Sequence, residues 1–412
     1  MKYGLIGEKL GHSFSKPIHE KIGGYEYEIK EIAAQDLDGF MKERAFSGIN
    51  VTIPYKTQVI PYLDYIDPIA EKIGAVNTIS NRVNRLYGYN TDFFGMKMLI
   101  EKQGFDFTGK KVVVLGSGGT SRTAVAVCES LGAKEIVVVS RKGEVNYSNL
   151  YTFHADADYI INTTPVGMYP DNLSSPVDLS FFKKLKGVTD VVYNPLKTRL
   201  CLEAVDRGIK AEGGLYMLVA QAVRACEYFT GNTIPEEKCD TVYKKILEDK
   251  ENIILTGMPG SGKTTIGKLI AQKTGKSFVD TDDLIREKCG CEISEIFEKH
   301  GEDYFRDAES EVISELSKEN GLVIATGGGA VLRKENIGNL SQNGRIIFAD
   351  ADINELIATK DRPLSNTPEK LIKLYDTRFS IYRERCDVRV QITRDAQENA
   401  EKILSAFDSL MK

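Results

Sequence analysis

The stretch Gly257-Met258-Pro259-Gly260-Ser261-Gly262-Lys263-Thr264-Thr265 carries the glycine spacing of a phosphate-binding loop. The apolar run 252–256 ahead of it predicts a buried strand, and the chain past Gly262 predicts a helix with its positive end on an anion. Backbone N–H groups of Gly260, Ser261 and Gly262, with Lys263 and Thr265, suit the phosphates of a nucleotide, and the Thr264 hydroxyl suits Mg²⁺. A glycine-rich turn alone occurs in many loops, but the order strand, GxxxxGK[ST], helix is specific. Downstream, Asp280 and Asp282 end a second predicted strand. One carboxylate can hold Mg²⁺ through water while the other orients an acceptor hydroxyl, as phosphoryl transfer requires. Capping of the next helix by Asp280 is the plainer alternative. Arg306 lies three residues before Glu309 on an amphipathic stretch, a spacing shared with ordinary surface ion pairs. Gly327-Gly328-Gly329 ends a further strand and lets backbone approach a ligand closely.

The first hundred residues collect neutral hydrogen-bonding groups around one Lys and one Asp. Ser13 and Ser15 stand at the start of a predicted helix, where Ser15 could serve merely as its cap. Asn50 and Thr52 share one face of a strand that Pro54 stops, with Lys56 just beyond. Asn77 and Asp92 sit in short turns, where Asn and Asp also bond their own backbone. Together these groups describe a pocket for a small polyhydroxylated molecule. A Lys beside an Asp can supply or take a proton at a carbonyl oxygen, although a solvated lysine is the commoner fate of the type. Gly116, Gly118 and Gly119 follow the apolar strand 111–115 and precede a helix and a second strand, the setting of a dinucleotide-binding turn. That second strand ends in Ser140-Arg141-Lys142, two cations where a 2′-phosphate would lie, which favours NADP over NAD.

Positioning these groups takes alternating strands and helices, the pattern of open, mostly parallel sheets. A chain of 412 residues predicts two or three domains. A net charge of −5 gives no basic field, which argues against nucleic acid or an anionic membrane as the main partner. No apolar run reaches the length of a membrane span, and the N-terminus runs straight into a strand, so a cytoplasmic protein is expected. Seven cysteines, scattered and without metal-ligand spacing, are expected to be reduced thiols. Between Arg141 and Asn162 the chain is too short for helix, strand and helix, so the dinucleotide half is expected to be trimmed. The charged helix end 244–252 leads almost directly into the phosphate-loop strand, with no tether.

The stretches GHSFSKP (11–17), NVTIPYK (50–56), GAVNT (74–78) and GYNTD (88–92) resemble, in order and spacing, the signatures of the shikimate dehydrogenase family. The resemblance implies that Ser13, Ser15, Asn50, Thr52, Asn77 and Asp92 bind shikimate, that Lys56 and Asp92 are the catalytic pair, and that Gln221 reaches back to the substrate. It places Thr164 and Val166 of the motif 162–168, and Met217, on the cofactor side. At 140–142 the family's Asn-Arg-Thr is replaced, but Arg141 keeps the charge. Residues 252–412 resemble shikimate kinase. That resemblance implies shikimate binding by Asp282, Arg306, Gly328, Gly329 and Arg378, both arginines on the carboxylate, with Arg362 as a lid arginine closing on the phosphates and Lys263 and Asp282 in catalysis. The arginine usual over adenine is missing before Arg362, and the lid 362–378 is short.

The expected architecture is α/β. A two-domain dehydrogenase comprises a substrate domain, 1–100, completed by helices within 215–249, and a Rossmann NADP domain, 101–214. It is fused to a P-loop α/β/α kinase of the nucleoside-monophosphate-kinase type, 252–412. The expected chemistry is reduction of 3-dehydroshikimate with NADPH, then phosphorylation of the same oxygen with MgATP, on small-molecule substrates alone. A quinate-acting NAD-dependent dehydrogenase with a kinase domain, and a metabolite sensor built on degenerate domains, are the rival readings. The second would need lost catalytic groups, yet Lys56, Asp92, Lys263, Asp280, Asp282 and Arg306 all remain.

Overall fold

The computed structural model describes residues 1–10, 14–235, 237–356 and 364–410. Ser13 and Arg362 lie outside the described residues. Two compact units, Met1–Ile246 and Leu247–Lys412, each have their own core.

In the first unit, β1 (Tyr3–Gly7), β2 (Glu28–Glu31), β3 (Gly48–Val51), β4 (Tyr65–Ile66), β5 (Thr78–Arg82) and β6 (Arg85–Tyr89) form one sheet of order β2-β1-β3-β5-β6-β4. Helices α1 (Ser15–Gly23), α2 (Leu37–Glu43), α3 (Pro68–Ile73) and α4 (Thr91–Lys102) connect or flank these strands. The sheet is more mixed than the sequence pattern predicts, because β5 runs antiparallel to β3 and β6. Val83 and Asn84, both at positive φ, make the two-residue turn that folds β5 onto β6 as a hairpin.

The second sheet is parallel throughout: β7 (Lys111–Leu115), β8 (Glu135–Val139), β9 (Tyr159–Asn162), β10 (Gly187–Asp190) and β11 (Lys210–Glu212), in the order β11-β10-β9-β7-β8. α5 (Gly119–Ser130) follows β7, α6 (Leu150–His154) is the one α-helix between β8 and β9, and α7 (Arg199–Asp206) precedes β11. Against the doubly wound order 3-2-1-4-5-6, the strand that would flank β8 is absent among the described residues. The short stretch past Arg141 thus removes one strand and leaves β8 as the edge. α8 (Leu215–Thr230) returns to lie along α4, and α9 (Glu237–Lys250) follows.

The second unit holds β12 (Asn252–Thr256), β13 (Ser277–Asp280), β14 (Leu322–Ala325), β15 (Gly344–Ala351) and β16 (Val388–Ile392), all parallel, in the order β13-β14-β12-β15-β16. Its helices are α10 (Lys263–Thr274), α11 (Thr281–Cys289), α12 (Ile293–Leu316, kinked at Gly301), α13 (Lys334–Ser341), α14 (Pro368–Glu384) and α15 (Ala396–Ser409). This is the 2-3-1-4-5 order of a P-loop kinase sheet, with the phosphate loop leaving the central strand β12.

The division between units falls inside α9, ahead of the expected start at residue 252. The last turn of α9 belongs with the second unit because Lys276 Nζ donates to the carbonyls of Glu248, Asp249 and Glu251 at 2.7, 3.2 and 3.0 Å. A cation on the final carbonyls also suits the negative end of the helix. Glu251 alone separates α9 from β12; it is fully buried and pairs with Arg345 at 2.7 Å. All seven cysteines are free, and no helix among the described residues is long and apolar enough to cross a membrane.

Candidate active sites

The first site gathers at the carboxyl ends of β1 and β3, against α4 and α8. Asn50 is on β3, Thr52 follows it, and Lys56 lies in the turn beyond. Asp92 occupies the first turn of α4, whose N-cap is Asn90 with its side chain accepting from Phe93 N. Lys56 Nζ lies 2.6 Å from Asp92 Oδ2, with Asp92 nearly buried, so this lysine is no solvated surface group. Around the pair runs a polar circuit. Asn50 Nδ2 donates to Thr78 Oγ1 at 3.0 Å, Asn77 Oδ1 accepts from Thr91 N at 2.7 Å, and Asn77 Nδ2 donates to Gln221 Oε1 at 3.3 Å. Ser15 opens α1 rather than capping it, since Phe14 holds the cap position with no side-chain cap bond. The structure therefore brings Asn50, Lys56, Asn77, Asp92 and Gln221 together by direct or shared contacts.

The dinucleotide turn leaves the end of β7. Gly116 has φ 108, and a side chain there would meet Thr163 Oγ1 at 2.8 Å, so glycine is required. A Cβ on Gly118 or Gly119 would meet nothing within 4 Å, so the turn's backbone is open to a pyrophosphate at the start of α5. Arg141 and Lys142 are exposed in the turn after β8, and Ser140 N closes it on Val145 O at 3.1 Å. At the end of β9, Thr164 N and Oγ1 both donate to Asn162 Oδ1, and Val166 N donates to Thr164 Oγ1. Asn162 is in turn fixed by Asp190, which is fully buried and also accepts from Thr198 Oγ1 at 2.7 Å. Burial pushes the Asp190 carboxyl up to about 6, against the pull of three donors, Val192 N, Thr198 Oγ1 and Asn162 Nδ2. Met217 is buried on α8. These residues fit a dinucleotide bearing a 2′-phosphate.

The second site lies where β12, β13 and β14 end. Gly260 and Gly262 have positive φ, and Lys263 Nζ curls into the loop to donate to the carbonyls of Gly257 and Met258, both at 2.9 Å. Thr264 Oγ1 donates to Asp280 Oδ2 at 2.7 Å, while Asp280 Oδ1 accepts from Asp282 N. Asp280 thus caps α11 and faces the loop threonine at once, so capping and metal duty are compatible; the pair fits a Mg²⁺ held partly through water. Thr265 is exposed on the first turn of α10, and Ser261 is buried in the loop. Arg306 Nη1 pairs with Glu309 at 2.8 Å, and Glu309 is fully buried, so this is no surface pair. Burial works against the Arg306 charge, but Glu309 and Glu302 overcome it and hold the group above its ordinary value. Gly329 packs so close to Arg306 that a side chain would overlap the guanidinium, and a Cβ on Gly327 would lie 2.7 Å from Asp282 Oδ1. Arg378 Nη1 donates to Gly328 O at 3.1 Å, alongside the Tyr382 hydroxyl. Burial and then Arg306 hold the Arg378 guanidinium below its ordinary value. Two near-buried arginines around the Gly328-Gly329 backbone, Arg378 without a carboxylate partner among these contacts, suit an anionic ligand.

The shikimate dehydrogenase substrate binding domain matches residues 5–79 and the shikimate 5′-dehydrogenase C-terminal domain matches 214–239. A shikimate dehydrogenase (NADP(+)) of Clostridium perfringens is 38% identical over 265 residues, 59% of this chain and 97% of the relative. The chain belongs to the shikimate dehydrogenase family. Among solved structures, shikimate dehydrogenase 1 from Peptoclostridium difficile is 38% identical, covers 60% of this chain and 98% of that one, and has a TM-score of 0.56. A Thermus thermophilus shikimate 5-dehydrogenase in complex with NADP(H) and shikimate is 29% identical, covers 60% and 99%, and has a TM-score of 0.54. Beyond the dehydrogenase, the shikimate kinase family matches residues 259–408. The two parts make a bifunctional shikimate-pathway enzyme.

Several groups of the dehydrogenase and kinase sites escape a reading of the sequence. Glu309 was visible only as the partner in a commonplace helical spacing. Asp190 and Thr198 support the loop after β9 from a different strand and helix, with no local signal. Tyr382 follows Arg378 at i+4 on α14, a spacing that puts both side chains on one face and could have flagged it.

Proposed function

We propose that this enzyme reduces 3-dehydroshikimate to shikimate in its first unit and phosphorylates shikimate in its second, with the residues above in the following roles. The reading rests chiefly on the Lys56–Asp92 contact of 2.6 Å inside a ring of amides and hydroxyls. Asn50, Thr52, Asn77 and Gln221, with Ser15 from the start of α1 and Ser13 of the same sequence motif, hold the ring hydroxyls and carboxylate. Bound NADPH supplies the hydride. Lys56 gives a proton to the C3 oxygen as charge develops there, Asp92 as carboxylate holds the ammonium in place, and water replaces the proton that Lys56 has given up. Arg141 and Lys142, with no carboxylate at the end of β8, suit the 2′-phosphate of NADP.

In the second unit, Arg306 and Arg378 grip the shikimate carboxylate, and the Gly328-Gly329 backbone lets the ring come close. Asp282 orients the acceptor hydroxyl and takes its proton. Lys263 would turn from the loop carbonyls to the outer phosphates of a bound nucleotide, Thr264 and Asp280 would hold Mg²⁺, and Arg362 would supply a further cation to the phosphates. The hydroxyl made in the first reaction is the one phosphorylated in the second.

Purified protein given 3-dehydroshikimate, NADPH and ATP tests the assignment. Lys56→Ala is expected to lower NADPH oxidation by about 10²- to 10⁴-fold and leave phosphorylation of added shikimate intact, and Lys263→Ala to do the reverse. Loss of both activities in either variant would sink the two-site reading.

A further inference from the structure

Tyr27 is fully buried at the amino end of β2, and its hydroxyl lies 2.7 Å from Asn50 Oδ1. The direction of that bond is forced. Asn50 Nδ2 also lies 3.3 Å from the main-chain oxygen of Asn77, which can only accept. The amide nitrogen must therefore face Asn77, the amide oxygen must face Tyr27, and the phenol must donate. Burial keeps Tyr27 protonated, its pKa raised well above the ordinary phenol value.

The ring that carries this hydroxyl is itself held. Tyr27 stacks on His19 with centroids 4.1 Å apart and planes 6° from parallel. His19 lies one turn beyond Ser15 on the same face of α1, and its Nδ1 is 2.8 Å from the Tyr25 hydroxyl. The stack ties the helix bearing Ser15 to the residue that orients Asn50. The same orientation passes on through Thr78, whose Oγ1 accepts from Asn50 and lies 3.1 Å from Asn77 Oδ1.

We propose that Tyr27 is a positioning residue of the dehydrogenase site, fixing the Asn50 amide so that one arrangement of donors and acceptors meets the substrate's ring hydroxyls. This inference rests on the proposed role of Asn50 in shikimate binding. Tyr27→Phe keeps the stack and removes only the hydroxyl, so Asn50 gains freedom to turn.

Steady-state oxidation of shikimate by NADP⁺ tests the proposal in the full-length chain. Tyr27→Phe is expected to raise the KM for shikimate by roughly 5- to 30-fold, the equivalent of one buried hydrogen bond. The NADP⁺ KM and the thermal midpoint stay near wild type, and kcat falls less than about 3-fold. In an Asn50→Ala background the same change is expected to alter the KM by less than about 2-fold, because the group it positions is gone. If Asn50→Ala raises the KM but Tyr27→Phe does not, the positioning role is overturned while the site assignment stands. If Asn50→Ala leaves the KM unchanged, the assignment itself fails. A uniform fall in kcat, both affinities and the thermal midpoint with Tyr27→Phe would mark general loosening and also overturn the proposal. Thr78→Val removes the other side-chain partner of the same amide and is expected to show the same shikimate-specific rise in KM, so the test survives if Tyr27→Phe does not fold.

Discussion

A methyl group on Gly329 would stand where the Arg306 guanidinium now lies. Glu309 and Glu302 hold that guanidinium, so it has little freedom to yield. Gly329→Ala is therefore expected to raise the kinase KM for shikimate at least about tenfold, the scale of one displaced charged hydrogen bond, with dehydrogenase rates unchanged in the same sample. At the other site, His19, which stacks behind Tyr27, shows how a side chain outside the chemistry sets a pH limit. Burial lowers its pKa from 6.5 to about 3, so the unfolded chain binds the proton first. Its contribution to stability is complete above pH 6.5 and is lost as the pH falls toward 3. Between pH 7 and pH 5 the loss is about 2 kcal/mol. Asp190, whose carboxyl is raised by burial, slopes the opposite way, so the decisive measurement is the difference between wild type and His19→Phe in urea unfolding at both pH values. That difference is expected to shrink as the pH falls.

At the scale of elements, the α4–α8 seam decides the dehydrogenase geometry. α4 carries Asp92 and α8 carries Gln221, and the two helices approach closely because Gly95 has no side chain. A Cβ there would lie 2.5 Å from Met217 O and 3.1 Å from Gln221 Cβ. Gly95→Ala is expected to cost about 1 to 3 kcal/mol in the first unit's unfolding and to weaken shikimate binding, with kinase activity as the unaffected control. Gly95 gave no signal in the sequence, because a lone glycine in a helical stretch reads as a weak position until its neighbour is known. The phosphate loop, the dinucleotide turn and the Lys56 and Asp92 segments were legible because each motif brings its own strand end and turn, so local spacing already encodes geometry. Glu309 and the Asn162–Asp190–Thr198 support were not, because their meaning comes from burial and from partners on other elements. The hairpin that turns the first sheet mixed depends on Val83 and Asn84 taking positive φ, which residue type alone does not announce for valine.

For the whole molecule, two compact units imply at least two unfolding transitions rather than one. The ion pair of buried Glu251 with Arg345 belongs to the second core, although Glu251 directly follows a helix begun in the first. Glu251→Gln leaves Arg345 without its counter-charge and is expected to lower the kinase transition by about 1 to 3 kcal/mol, discounted for the partial exposure of Arg345. Calorimetry that shows the dehydrogenase transition moving equally would refute separate cores. The sequence shows no Gly/Ser- or Pro-rich tether and places the second domain from residue 252. Lys276 and Gly321 bind the last carbonyls of α9 from remote positions in the chain, which ties its last turn to the second unit.

This seam has a consequence for the protein's life in a cell. Proteases cut segments that can be drawn out into extended chain. Here a helix passes through one buried residue into a strand whose five residues are all buried, so the junction holds no exposed extended segment. The two catalysts are consequently made in a fixed one-to-one ratio, a stoichiometry that separate genes would have to maintain by regulation.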